Sequence, residues 1–245
     1  MKKSFIVLCL TFFSLSVMAA DRPKQGFGFQ IGWAQPVLRI NSASNPSYAK
    51  DSLSVKVALK GFKAGVIYDA SYIKGFGSSM GINYTFAVSN GGWRSAGTIA
   101  EYPRQRQMIS YHELEVFVDW QYKFELAKET YLMLYTGPTI QCGLGLDMRS
   151  DHQNDYGADV TITRYSGYTT DNQNERFKRV NVTWGVGAGF QFQRYFLRGG
   201  YDFGLINPYA NTRFVDKADQ PLDHYTRGRL DQWSIKIGMY LWYND

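Results

Sequence analysis

Few residues in this chain combine the types and spacing that chemistry demands. The 245 residues include three His, at positions 112, 152 and 224. His112 precedes Glu113, but a zinc-binding His-Glu-x-x-His helix needs a second His where Val116 stands. No His-x-Ser pair occurs, and no Ser, His and acid fall in a pattern that marks an activated nucleophile. The run Asp151-His152-Gln153-Asn154-Asp155-Tyr156-Gly157-Ala158-Asp159 holds oxygen ligands of the kind Ca²⁺ prefers. Its spacing fits no EF-hand, and it reads as a solvated acidic loop. The three His read as solvated loop residues. The expectation is a chain with no catalytic residues, no metal site and no cofactor. Nothing suggests nucleic-acid binding.

Two sets of charges remain. Lys63, Asp69, Glu113, Glu115, Asp119, Lys123, Arg198, Asp202 and Lys236 comprise five acids and four bases spread over four segments. Glu113, Glu115 and Asp119 have the composition of an acid/base site, but a salt-bridge network accounts for all nine. Arg94, Arg104 and Arg106 form a basic group suited to the phosphates of lipopolysaccharide, since guanidinium donates charge-assisted hydrogen bonds to them. What either set does depends on the elements that hold it.

Composition narrows those elements. Aromatics make up 16% of the chain and there are 24 Gly, so disorder is excluded. The chain opens with Lys2 and Lys3, then an apolar stretch from Phe5 to Val17, then Ala19-Ala20 before Asp21. That order is a cleavable secretory signal over residues 1–20, too short to be a membrane anchor. Cleavage removes two of the 27 basic residues, leaving 25 − 21 = +4 on residues 21–245. It also removes Cys9, so Cys142 is the one thiol left and no internal disulfide forms.

The exported part alternates with period two. In residues 180–193 every even position from Val180 to Phe192 is apolar, and every odd one is polar or Gly. Side chains alternate across a strand, so this is a strand with one apolar and one polar face. The same pattern recurs from Phe27, Met80, Leu114 and Trp233, and more weakly from Ala64, Leu132 and Leu197. Phe117 and Ile67 interrupt the polar faces. Leu53, Val55, Val57 and Leu59 have parity opposite to Val66, which predicts a bulge near Lys60-Gly61. Pro138 predicts another, because it brings no ladder donor.

Eight strands result, joined alternately by short connections and long ones, the latter near residues 41–52, 89–109, 148–178 and 206–229. That is an up-and-down meander in one domain, residues 21–245, with both termini at the tight-turn end. All nine charges fall on the polar face, together with many Gly. Gly and paired charges suit a crowded lumen, whereas the apolar face carries Phe27, Trp33, Trp120, Trp184 and Trp233, too bulky for a small closed core. Facing outward, these rings form interfacial girdles. The expected fold is an all-β, eight-stranded antiparallel up-and-down transmembrane β-barrel in the bacterial outer membrane. Its last strand, ending Leu241-Trp242-Tyr243, is of the kind that outer-membrane assembly machinery binds.

Three segments carry a family resemblance: Gly61-Phe62-Lys63-Ala64-Gly65-Val66, Leu114-Glu115-Val116 leading to Trp120-Gln121-Tyr122-Lys123-Phe124, and Tyr135-Thr136-Gly137-Pro138-Thr139. The chain resembles the outer-membrane β-barrel domain family common in Bacteroidetes, the group that includes PorT-like proteins. In that family the middle segment reads Leu-Glu-Ile-Pro, and here Phe117 takes the Pro place. Likeness to OmpX or OmpA is one of architecture only. The resemblance implies fold and location more than activity. The leading expectation is a non-enzymatic structural or surface-interaction protein that meets a protein or glycan ligand through long extracellular loops. Tyr156, Tyr165, Tyr168, Asp171 and Asn172 in the longest loop suit such contact. A narrow pore or secretion-apparatus component is the alternative, and a lipid-modifying enzyme a more distant one.

Overall fold

A computed structural model describes residues 24–43, 54–73, 75–90, 94–95, 104–153, 159–166, 168, 177–208, 214–215, 221–222 and 225–244. The expected signal, His224, Tyr156, Asp171 and Asn172 lie outside the described residues.

Eight strands form the wall: β1 Lys24–Ala43, β2 Lys60–Ile73, β3 Phe76–Asn90, β4 Arg104–Ala127, β5 Thr130–Gln153, β6 Val180–Phe192, β7 Tyr195–Gly204 and β8 Tyr225–Asn244. Each pairs antiparallel with the next in chain order. β8 pairs back onto β1 from Gln25↔Asn244 to Ala43↔Tyr225, closing the ring. Closure leaves no open edge among the eight, so backbone polar groups are satisfied within the sheet. The tight turns at Gly75, 128–129 and 193–194 share one end, and Lys24 and Asn244 lie there too. Each turn needs a left-handed residue: Gly75 at φ 89°, Glu129 at 60° and Gln193 at 52°. Glycine adopts that conformation without steric cost.

Alternation sorts the side chains cleanly. Ile31, Val116, Ile140 and Ile237 are 45–59% exposed on the outer face, while Lys63, Asp69, Asn83, Glu113 and Arg198 are at most 1% exposed inside. Outward aromatic residues gather in two rows. Phe76, Tyr122, Phe124, Phe190 and Phe192 mark the turn end, and Trp33, Phe62, Tyr84, Phe86 and His112 mark the other. Tyr122 and His112 lie ten residues apart on β4. At ~3.3 Å per residue and a tilt of ~40° this is a band ~25 Å tall, the height of an outer-membrane apolar belt.

The structure revises four expectations. Val37↔Ala58 and Ala34↔Gly61 continue one register, so no bulge separates Ser54–Ala58 from β2. The parity changes because the lumen itself turns apolar near the end opposite the tight turns: Val57, Leu59, Ala87, Ile109, Tyr111 and Leu146 pack together inside. Pro138 causes no bulge either. Phe117↔Thr139 and Trp120↔Thr136 share one register, so the ladder skips a bond without inserting a residue. The bulge lies instead at His112/Glu113, and it turns Leu146 inward from the lipid face where the sequence pattern puts it. Finally, the expected loops are partly wall. Arg94–Ser95 pairs with β4, and Asp159–Ser166 pairs with β5 out to Gln153. Arg104 and Arg106 therefore belong to β4, not to a loop.

Candidate functional site

The lumen is built by inward positions of all eight strands, and most of the expected charges meet there. Lys63 of β2 donates from Nζ to Glu115 of β4 at 2.7 Å, and Asn83 of β3 donates to the other Glu115 oxygen at 2.6 Å. Gln30 of β1 in turn donates to Asn83 at 2.7 Å. Arg198 of β7 reaches across to Asp119 of β4 at 2.7 Å and to the Ser79 hydroxyl at 3.1 Å. Its guanidinium stacks 4.0 Å from the Tyr135 ring centroid. Near the turns, Asp69 accepts from Lys123 at 2.8 Å, from Tyr240 at 2.6 Å and from Gln121. These pairs join positions 32 to 171 residues apart in the chain, so strand pairing and closure of the ring together assemble them.

Three expected members take other roles. Glu113 accepts from two neutral groups, the Tyr111 hydroxyl at 2.5 Å and the Gln232 amide at 3.0 Å. Lys236 lies over the Phe117 ring at 5.4 Å from its centroid. Asp202 sits against Gly185, where any Cβ would crowd its carboxylate. Sequence reasoning missed the neutral polar partners Gln30, Asn83, Gln121, Gln191 and Gln232, although each stands on the polar parity of its strand. It also treated Phe117 and Ile67 as defects. With Met133, Phe196 and Tyr240 they form an apolar cluster in the lumen, and Lys123, Arg198 and Lys236 lie over its rings. Cations over ring faces gain from the ring quadrupole where water is excluded.

The end of the lumen opposite the tight turns is capped. Tyr168 is buried against Leu59, Ile109 and Tyr111, and its ring occupies the space a side chain at Gly143 would need. Arg179 stacks on it at 5.0 Å, and a void of about 40 Å³ remains beneath.

Elsewhere, His112 is not a solvated loop residue. It faces outward from β4, bonded to the Tyr84 hydroxyl at 2.6 Å and packed on Phe86 at 4.7 Å between centroids. Arg94 and Arg104 lie in adjacent paired strands, with Arg94↔Gln105 and Ser95↔Arg104 in register. Among the described residues, no cluster of His, Cys, Asp and Glu has metal-ligand geometry.

A closed ring of antiparallel strands, polar within and apolar without over a bilayer's height, is an integral outer-membrane β-barrel. The sequence matches the outer membrane protein beta-barrel domain family over residues 26–209, and the chain belongs to that family. No curated protein matches it. Among solved structures it is similar to Ail, the attachment invasion locus protein of Yersinia pestis, in complex with the heparin analogue sucrose octasulfate. That likeness covers 90% of this chain and 100% of the other, at 12% identity and a TM-score of 0.36. Neisserial surface protein A (NspA) is similar over 86% and 96% of the two chains, at 10% identity and a TM-score of 0.33. The translocator domain of the autotransporter NalP from Neisseria meningitidis is similar over 97% and 96%, at 7% identity and a TM-score of 0.34.

Proposed function

We propose that this protein is a non-enzymatic outer-membrane barrel with a plugged lumen, which acts as a structural or surface-interaction protein through the parts of the chain outside the membrane. The observation that carries the reading is the filling of the lumen. Three buried ion pairs and five apolar side chains occupy the inner half, and an apolar cluster under Tyr168 occupies the outer end. A conducting pore needs a continuous polar path, and eight strands enclose an interior that side chains can fill.

The outer surface supports an interaction role. β4 and β5 have 24 residues each, whereas β6 has 13 and β7 has 10, so one side of the wall is far taller. On that side Asp159–Ser166 pairs with β5, and among the described residues no strand pairs with its other edge. An exposed edge strand is a template for an extended segment of a protein partner. We further propose that residues 1–20 are a cleaved signal, that both termini are periplasmic, and that assembly machinery reads the last strand. Outer-leaflet lipopolysaccharide is the proposed lipid partner, with Arg94, Arg104 and Arg106 as contacts. The Bacteroidetes PorT-like affiliation rests on the three sequence segments quoted above.

Planar-bilayer recording of the refolded protein tests the plug. The expected result is no steady ion conductance. Steady nanosiemens-scale conductance overturns it and promotes the pore or secretion-apparatus role. Cross-linking and co-purification from intact outer membrane then identifies the partner.

A further inference from the structure

A second charged cluster lies on the outside of the barrel. Arg39 of β1 and Arg229 of β8 are directly opposite in register. Like charges directly opposite on a sheet repel, yet here both are steered together by one acid. Asp231 is fully buried and accepts from Arg39 Nε at 3.0 Å, Arg229 Nε at 2.7 Å and Arg229 Nη2 at 2.9 Å. It also accepts from the Tyr201 hydroxyl at 2.9 Å and from the Gly204 amide at 3.0 Å, which ends β7. One carboxylate neutralises one guanidinium, so the cluster keeps a net positive charge. Both arginine side chains remain accessible, at 46% and 43%.

Position supplies the ligand. Trp233 stands two residues beyond Ile235, the register partner of Trp33 in the aromatic row away from the turns, and Arg229 lies four residues beyond Trp233 on the same strand. With the rise and tilt used above, that is ~10 Å past the edge of the apolar band, at headgroup level. We propose that Arg39 and Arg229 form an anion clamp for a phosphate group carried on an outer-leaflet lipid, held open by Asp231. Asp231 takes Nε of both arginines and Nη2 of Arg229, and Tyr201 accepts from Arg39 Nη2 at 3.3 Å, so a phosphate meets the remaining guanidinium N–H donors and relieves the repulsion between the two groups. The clamp rests on the outer-membrane placement proposed above, with the long connections outside.

The test uses the full mature protein, refolded in micelles and examined by native mass spectrometry for retained lipid. The probes are diphosphoryl lipid A, the same lipid with its phosphates removed, and inorganic phosphate as competitor. The wild type should retain the phosphorylated lipid about tenfold better than the dephosphorylated one, as expected for a lost charge-assisted bond pair. Arg39→Gln should remove most of that preference, leaving what Arg94, Arg104 and Arg106 contribute, while Arg39→Lys restores part of it. Arg39→Gln leaves Arg229 paired with Asp231, so the barrel should still fold, as heat-modifiable migration on gels reports. Equal retention of both lipids by a folded, inserted wild type overturns the clamp without touching the lumen reading. Displacement by millimolar inorganic phosphate overturns the lipid as its source.

Discussion

Arg198→Ala probes the lumen most directly. The arginine side chain is 1% exposed and its partner Asp119 8%. Truncation removes the 2.7 Å bond to Asp119, the 3.1 Å bond to Ser79 and the stack on Tyr135 at once. Asp119 is then a largely buried carboxylate without its cation. Breaking such a pair from one side costs about 3–5 kcal/mol. That is a large share of the ~5–15 kcal/mol that separates folded from unfolded states of typical domains. Replacing both partners, as Arg198→Met with Asp119→Leu, removes the stranded charge and should recover most of the loss. The comparison therefore separates desolvation from packing. Lys128→Ala, in an exposed turn, should change stability by no more than about 0.5 kcal/mol. Urea unfolding in lipid vesicles, followed by the fluorescence of the 6 Trp, measures all three. A loss under about 1 kcal/mol for Arg198→Ala would refute a desolvated ion pair, because that is the scale of an exposed one. A double variant as unstable as the single one would refute the charge argument in favour of packing.

Val186→Arg and Val118→Arg, outward and near mid-height, should each destabilise by about 2–4 kcal/mol, whereas Phe192→Arg at the turn-end row should cost about 0–1 kcal/mol. Equal losses at the two depths in the same unfolding assay would contradict the band drawn between Tyr122 and His112. Asp69→Ala removes the acceptor of Lys123, Tyr240 and Gln121 together. Its loss should match that of Arg198→Ala within a factor of about two, by the same stranded-charge mechanism. Gly187→Ala drives a Cβ into the Tyr135 ring that stacks on Arg198, and should cost about 1–3 kcal/mol through overpacking. An unchanged unfolding midpoint would show that Tyr135 can move without loss.

Period-two alternation made the fold legible from sequence alone. It is a local property: each residue's parity assigns its face, and lipid outside with a crowded lumen inside makes the two faces chemically distinct. Strand order followed from the short and long connections, and all nine expected charges do stand on the inward parity. Their partners were not legible. Arg198 and Asp119 are 79 residues apart, and Arg39 and Asp231 are 231 − 39 = 192 apart. No local signal links such positions, and Arg229, the other partner of Asp231, lies at the end of a stretch that reads as loop. Strand ends were misread for a related reason. Beyond the membrane the outer face loses its apolar demand, so β4 and β5 continue without the alternation that announces them. The parity change at Leu59 shows the limit most clearly. By sequence it is a bulge, because a lumen is assumed polar throughout. Only the closed ring, bringing Leu59, Ile109, Leu146 and Tyr168 into contact, decides that the lumen opposite the tight turns is apolar and the strand unbroken.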